Sequence, residues 1–186
     1  MRNATTTAPI CNAEAALLGL LAEKPKHPYR ILEDIETRDI QSWTDLCKAT
    51  VYKMLRRLEL KRLVQVKIEA TKGERTRHVY SLLPSGRSAL KAFLKQQLSH
   101  QETTKSPFDV AIYWSDTLTA QEARTCLLAY REELQKAIEF WECMVDFLDD
   151  CGCPESDQAL CDRKAHMLHG EMQWLNSYLE KLQNAR

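Results

Sequence analysis

KATVYKMLRRLELKR occupies residues 48–62, and its apolar side chains fall at Val51, Met54, Leu55 and Leu58, the 3.6-residue rhythm of one helix face. Lys48, Lys53, Arg56 and Arg57 lie largely off that stripe. The stretch therefore predicts a helix over Lys48–Arg62 with one apolar and one cationic side. Leu63 to Glu69 then alternates apolar and polar residues through Val64, Val66 and Ile68. After Thr71-Lys72-Gly73-Glu74, a second run from Arg77 to Leu83 alternates at Val79 and Leu82 around Tyr80. Two period-two runs around a glycine-bearing turn predict a β-hairpin, here with a basic tip.

Upstream, Asn12 is placed to cap a helix reaching about Glu23, with leucines at 17, 18, 20 and 21, before Lys24-Pro25 stops it. A second helix fits Tyr29–Arg38, where Ile31, Leu32 and Ile35 keep helical spacing and Pro28 stands where an N-terminal proline is tolerated. Downstream, Pro84-Ser85-Gly86-Arg87 opens a fourth helix through Leu90, Phe93, Leu94 and Leu98. Helix, helix, basic helix, basic hairpin and helix are the parts of a winged helix-turn-helix. The expected fold class is mainly α, with a two-stranded β wing in the N-terminal domain and an all-α C-terminal domain.

That second domain follows a polar linker, Gln101 to Pro107. Thr119-Ala120-Gln121-Glu122 is a capping box, in which hydroxyl and carboxylate each satisfy an orphan amide at a helix start. Its helix runs to about Asp149, with Leu127, Leu134, Ile138, Trp141, Val145 and Leu148 inward, and Pro154 separates it from a last helix over about Ser156–Gln183. There Leu168, Met172, Leu175, Leu179 and Leu182 step by 4, 3, 4 and 3, the spacing of helices that pack along their length. Two long amphipathic helices with acidic exteriors make a poor fold alone and read as a homodimerisation unit. The expected organisation is a flexible tail over residues 1–12, a DNA-binding domain over 13–100 and a dimerisation and effector domain over 108–186.

Charge divides the same way. The chain has 186 residues and no formal net charge, with 26 Lys and Arg against 26 Asp and Glu, but residues 1–98 carry 18 basic against 10 acidic groups and residues 99–186 carry 8 against 16. Residues 48–77 alone hold ten basic groups against Glu59, Glu69 and Glu74. Two uses fit such a block, a solvated charged face or a polyanion-binding surface. The longest apolar run, Ala15 to Ala22, is too short for the ~20 residues of a membrane span, and residues 1–10 have no apolar core of a secretory signal. A cytoplasmic location is the expectation. Seven scattered cysteines in such a chain argue against a disulfide scaffold.

Particular residues resemble one family, the PadR-type transcriptional regulators. Ala16 to Leu21 looks like that family's opening helix and His27-Pro28-Tyr29 like the start of its second. Thr50-Val51-Tyr52, Leu55, Arg57-Leu58-Glu59 and Leu63-Val64 resemble its recognition helix and exit. Gly73, Arg75, Arg77, Tyr80, Leu82 and Ser85-Gly86-Arg87 resemble its wing and the helix beyond. Residues 13–95 carry the resemblance, and the long acidic helices are similar to those of the family's larger members, in which they form the dimer. Three positions depart from the pattern: Pro28 and Arg62 stand where the family usually has Gly, and Leu83 where it usually has Thr. Arg62 would either take a left-handed backbone at roughly 1 kcal/mol or let the helix run a residue longer.

The chemistry of the sites follows from groove dimensions. An α-helix fits the major groove with side chains near its N-terminus at base edges, while cations further along meet phosphates. Thr50 and Lys53 are the candidates for base contacts and Lys48, Tyr52 and Arg57 for phosphates, with core packing the competing use of Tyr52. Arg75 and Arg77 flank the hairpin tip and suit the minor groove or its phosphates. A small aromatic effector would need an apolar pocket, for which Tyr113, Trp114, Phe140, Trp141 and Trp174 are candidates, each of them also explicable as core.

The expected function is a homodimeric repressor that binds a palindromic operator in double-stranded DNA, without metal or cofactor. The alternative is a thiol-dependent redox or metal-responsive protein using Cys151 and Cys153, with Cys161, His166 and His169 nearby, although their spacing matches no standard zinc pattern. No C-x-x-C, glycine-rich phosphate loop or G-x-S-x-G is present, which argues against an enzyme.

Overall fold

A computed structural model of the chain describes residues 9–70, 76–101 and 105–184. It divides into two compact units, Met1–Thr103 and Thr104–Arg186. In the first, the leucine-rich stretch forms α1 (Asn12–Glu23), buried on nearly every side through Ala13, Ala15, Leu17, Leu18, Leu20 and Leu21. Cys11, not Asn12, is the capping position, and its N–H donates to Glu14 Oε2 at 3.1 Å. The residues just before it are held to the body: Ile10 packs on the core and the Pro9 carbonyl accepts from Lys61 Nζ at 3.3 Å.

The second helix, α2, spans Pro28–Thr37, one residue earlier at each end than the sequence reading. His27 caps it, Nδ1 accepting from the Arg30 N–H at 3.1 Å, and Pro28 takes the first position, where no amide is needed. A left-handed Asp39 (φ 43°) turns the chain into a short 3₁₀ turn, Ile40–Ser42, which the sequence reading did not register. The basic helix, α3, is shorter than expected. It spans Val51–Leu60, and Lys48–Thr50 form a separate 3₁₀ turn before it. Arg62 does take the left-handed conformation (φ 55°), so the helix does not extend through it.

The wing pairs β1 (Val64–Ala70) with β2 (Thr76–Leu82) antiparallel, Val64 opposite Leu82 and Glu69 opposite Arg77. Lys26 adds a third, isolated rung. Its N–H donates to the Tyr80 carbonyl at 3.0 Å and its carbonyl accepts from the Tyr80 N–H at 2.9 Å. The Lys26 side chain is buried, a costly placement unless paired. Its ammonium meets Glu23 at 2.8 Å and the equally buried Asp34, bolting the base of the wing to the corner between α1 and α2.

The fourth helix, α4 (Pro84–Ser99), has Leu83 at its capping position, whose side chain supplies no cap; its N–H instead donates to the Leu63 carbonyl at 3.0 Å. Gly86 lies so close to that carbonyl that a Cβ would stand 2.1 Å from the oxygen. One core joins these elements, centred on Leu17, Leu18, Ile31, Ile35, Leu46, Val51, Leu55, Leu58 and Val64.

In the second unit, α5 (Pro107–Tyr113) precedes α6 (Ala120–Asp150) and α7 (Glu155–Asn184). The Thr119–Glu122 capping box opens α6 as expected, the Glu122 N–H donating to Thr119 Oγ1 at 3.3 Å. A second box, Ser106 with Asp109, opens α5 inside the stretch read as linker. Leu127, Leu134 and Ile138 of α6 meet Leu175 and Leu179 of α7, and Phe108 and Ile112 of α5 pack against them. Among the described residues no helix is long and apolar enough to cross a membrane.

Candidate nucleic-acid interface

The turn before α3 closes on Thr50, whose hydroxyl donates to the Cys47 carbonyl at 2.9 Å and lies 3.3 Å from Cys47 Sγ. With its proton engaged, Thr50 Oγ1 is left mainly as an acceptor. Lys48 is exposed but ion-paired to Glu36 of α2 at 2.7 Å. Exposed pairs of this kind are worth about 0–1 kcal/mol, so a phosphate can compete for Lys48 at little cost.

Along α3, Val51, Leu55 and Leu58 are buried, and the opposite face carries Tyr52, Lys53 and Arg56. Tyr52 is 60% exposed, which excludes core packing as its use. Lys53 and Arg56 have no carboxylate within ion-pair distance among the described residues. Arg57 is different. Its Nε sits 3.1 Å from Glu14 Oε1, and Lys61 Nζ meets the same carboxylate at 2.9 Å. Glu14 is fully buried. Desolvation pushes its carboxyl up, but the Lys61 and Cys11 hydrogen bonds and the Arg57 charge outweigh that and hold it below its ordinary value. Arg57 is thus aimed by α1, with the rest of its exposed guanidinium free to donate. Arg56 belongs to the face and was missed as a site residue; its spacing of four from Tyr52 and three from Lys53 was the signal that placed it there.

On the wing, Arg77 is exposed on β2, while Arg75 lies outside the described residues together with the hairpin tip. Register puts His78 opposite Ile68, on the same hairpin face as Val66–Tyr80 and Val64–Leu82, the face turned to the core. His27, Pro28 and Tyr29 from the start of α2, Tyr52 from α3, and Arg77 and His78 from β2 line one groove of about 290 Å³. None of the six is acidic.

The second unit does not gather its aromatic candidates. Ring contacts join Tyr113 to Trp114 (5.0 Å), Phe140 to Trp141 (5.2 Å), and Trp174 to Tyr178 (5.5 Å) and Phe108 (6.0 Å), and none links one set to another. Tyr113 and Trp114 are mostly exposed. A groove between α6 and α7 is lined instead by Arg131, Glu132, Gln135, Lys136, Met172 and Asn176. Cys151 and Cys153 flank a left-handed Gly152 (φ 61°) in the α6–α7 turn with both thiols free. His169 is hydrogen-bonded to Glu142 at 2.8 Å and His166 lies against Asp162, and no three potential metal ligands cluster among the described residues.

Three solved structures share the fold over nearly the whole chain. Bacillus subtilis PadR in complex with operator DNA aligns with a TM-score of 0.72 at 21% identity, covering 91% of this chain and 98% of that one. The same protein in complex with p-coumaric acid gives 0.75 at 18%, covering 93% and 99%. The Vibrio cholerae virulence activator AphA gives 0.72 at 18%, covering 94% and 99%. No curated protein sequence matches the chain. Residues 17–92, from the middle of α1 into α4, match the transcriptional regulator PadR-like family, which makes this segment of the chain a PadR-like regulator domain.

Proposed function

We propose that the chain is a sequence-specific DNA-binding repressor that acts as a homodimer on a palindromic operator and answers to a small aromatic effector. The observation that carries the reading is the outward face of α3, where Tyr52, Lys53 and Arg56 stand exposed without acidic partners in a domain with a cationic excess. A helix presenting such a face suits the major groove. In this reading Thr50 and Lys53 meet base edges, while Lys48, Tyr52, Arg56 and Arg57 meet phosphates. Arg75 and Arg77 reach the minor groove or its phosphates. The existence of an operator complex of Bacillus subtilis PadR supports the same use of the fold.

Dimerisation rests on the second unit, where Phe140, Phe147, Met167 and Trp174 stay 39–57% exposed on α6 and α7. Two heads on such a dimer would bind half-sites about one helical turn apart. Repression follows if the dimer occupies promoter DNA that polymerase needs. The effector is assigned to the aromatic rings of the second unit, the exposed Tyr113, Trp114 and Trp174 and the half-buried Trp141, supported by the p-coumaric acid complex of Bacillus subtilis PadR. Footprinting on the DNA upstream of the protein's own gene, with a reporter read in the same cells, tests the reading. A two-fold protected site and a reporter that rises when the gene is deleted are expected; an unprotected promoter region and an unchanged reporter contradict it.

A further inference from the structure

Cys151-Gly152-Cys153-Pro154 joins α6 to α7 and has no part in the DNA-binding reading. Every N–H between the two helices is engaged. That of Cys151 donates to the Phe147 carbonyl at 3.1 Å, that of Gly152 to Asp149 at 3.0 Å and that of Cys153 to Leu148 at 3.0 Å, the bonds of a helix ending on a left-handed glycine. Gly152 supplies that conformation at φ 61°, and nothing lies within 4 Å of the place a Cβ would take, so the turn is open there. Beyond it, Gln158 Nε2 donates to the Cys153 carbonyl at 3.1 Å and ties the second cysteine to the first turns of α7. Two cysteines therefore share one fixed turn, Cys151 exposed and Cys153 half-buried, both as free thiols.

Residues i and i+2 have Cα atoms no more than about 7 Å apart, and closer in a turn, so both sulfurs can reach one atom. Thiolates select soft metals. Zinc is ill-suited, because it takes four ligands and no three His, Cys, Asp or Glu side chains gather among the described residues. The ion must be content with two sulfurs, and charge chooses among the ions that are. Residues 137–162 carry eight carboxylates and no Lys, Arg or His. In that field Ag(I) leaves its dithiolate with one negative charge, whereas Hg(II) leaves a neutral one. We infer that Cys151 and Cys153 form a chelating site for a soft, two-coordinate divalent cation of the Hg(II) type. Two metal–sulfur bonds form, two S–H protons pass to water, and no oxidation state changes. Once the first sulfur is bound, the second is held beside the ion at a high effective concentration. Cys126 and Cys143, exposed on α6 with no second cysteine close in sequence, lack that advantage.

The test uses the full, reduced chain and needs no DNA. Protein given one equivalent of mercuric chloride is desalted in millimolar 2-mercaptoethanol, a neutral monothiol competitor, and the retained metal is measured by elemental mass spectrometry. Wild type should keep about one ion per chain. Cys151→Ser and Cys153→Ser, each melting like wild type, should keep roughly a tenth of that or less, while Cys143→Ser should keep it all. Loss of the ion from wild type, or its retention in either single variant of the pair, overturns the site. The combined variant Asp149→Asn/Asp150→Asn/Glu155→Gln tests the choice of ion. It should raise retention of Ag(I) severalfold and leave that of Hg(II) as in wild type. Ag(I) retention unmoved by the neutralised flank would overturn the assignment to a divalent ion.

Discussion

Glu14 sets a buried carboxylate behind α3, and its partners Arg57 and Lys61 are both cations of that helix or its exit. Glu14→Gln removes the charge that holds them and should cost roughly 2 kcal/mol of stability in thermal or urea unfolding. Glu23 is bound in a similar way, by hydrogen bonds from Arg38 and then Lys26 that bring its carboxyl from 4.5 down to about 2. Both groups give up their protons more readily in the folded chain than in the unfolded one. Their contribution is therefore complete above about pH 4.5 and is lost as the pH falls, for Glu23 toward its folded value of about 2. Melting temperature should drop through that window, and Glu23→Gln should flatten the drop. An acid limb identical in wild type and variant would show that the pair contributes nothing. On the opposite side of α3 the same residue scale separates two kinds of contact. Lys53→Ala should lose about 1–3 kcal/mol on the cognate site and much less on random duplex, whereas Arg75→Ala or Arg77→Ala should weaken both alike.

At the scale of elements, the exit from α3 is the most constrained joint. Arg62 holds a left-handed backbone that glycine adopts freely, so Arg62→Gly should stabilise the domain by roughly 0.5–1 kcal/mol in chemical denaturation. Gly86 is the reverse case. A methyl there meets the Leu63 carbonyl and Leu82 Cδ1, so Gly86→Ala should cost about 1–3 kcal/mol. These joints also explain what the sequence made legible. Periodicity placed the apolar faces of α3, α6 and α7 on residues that are buried, such as Leu55, Ile138 and Leu175, or half-buried, such as Trp141, Leu148 and Met172, because burial of a helix face is what creates the period. It misplaced the start of α3, since a Thr50 hydroxyl that returns to Cys47 makes a 3₁₀ turn without altering the apolar pattern. The Arg57–Glu14 pair was illegible because its partners are 43 residues apart and meet through tertiary packing alone. By contrast, α5 was written in Ser106-Pro107-Phe108-Asp109, a proline-bearing capping box hidden in a polar stretch.

Over the whole molecule, opposite charges sort into the two units, so the proposed DNA-binding face of α3 lies in the cationic half of the chain. In the proposed dimer the second unit joins two such faces. Ending the chain after Asp150 strips α7 from Leu127, Leu134 and Ile138, and sedimentation should then show loss of the dimer with weaker duplex binding. A truncated chain that stays monodisperse and binds as tightly would remove α7 from assembly. The central claim is that the outward face of α3 binds duplex DNA, and the most direct measurement is anisotropy titration of wild type and Lys53→Ala/Arg56→Ala on promoter and random duplexes across a salt series. Wild type should show affinity that falls steeply and linearly in log-log form, with promoter DNA preferred; the double variant should lose the preference and about two units of slope per head. Equal affinity, preference and slope in the two proteins would contradict the account.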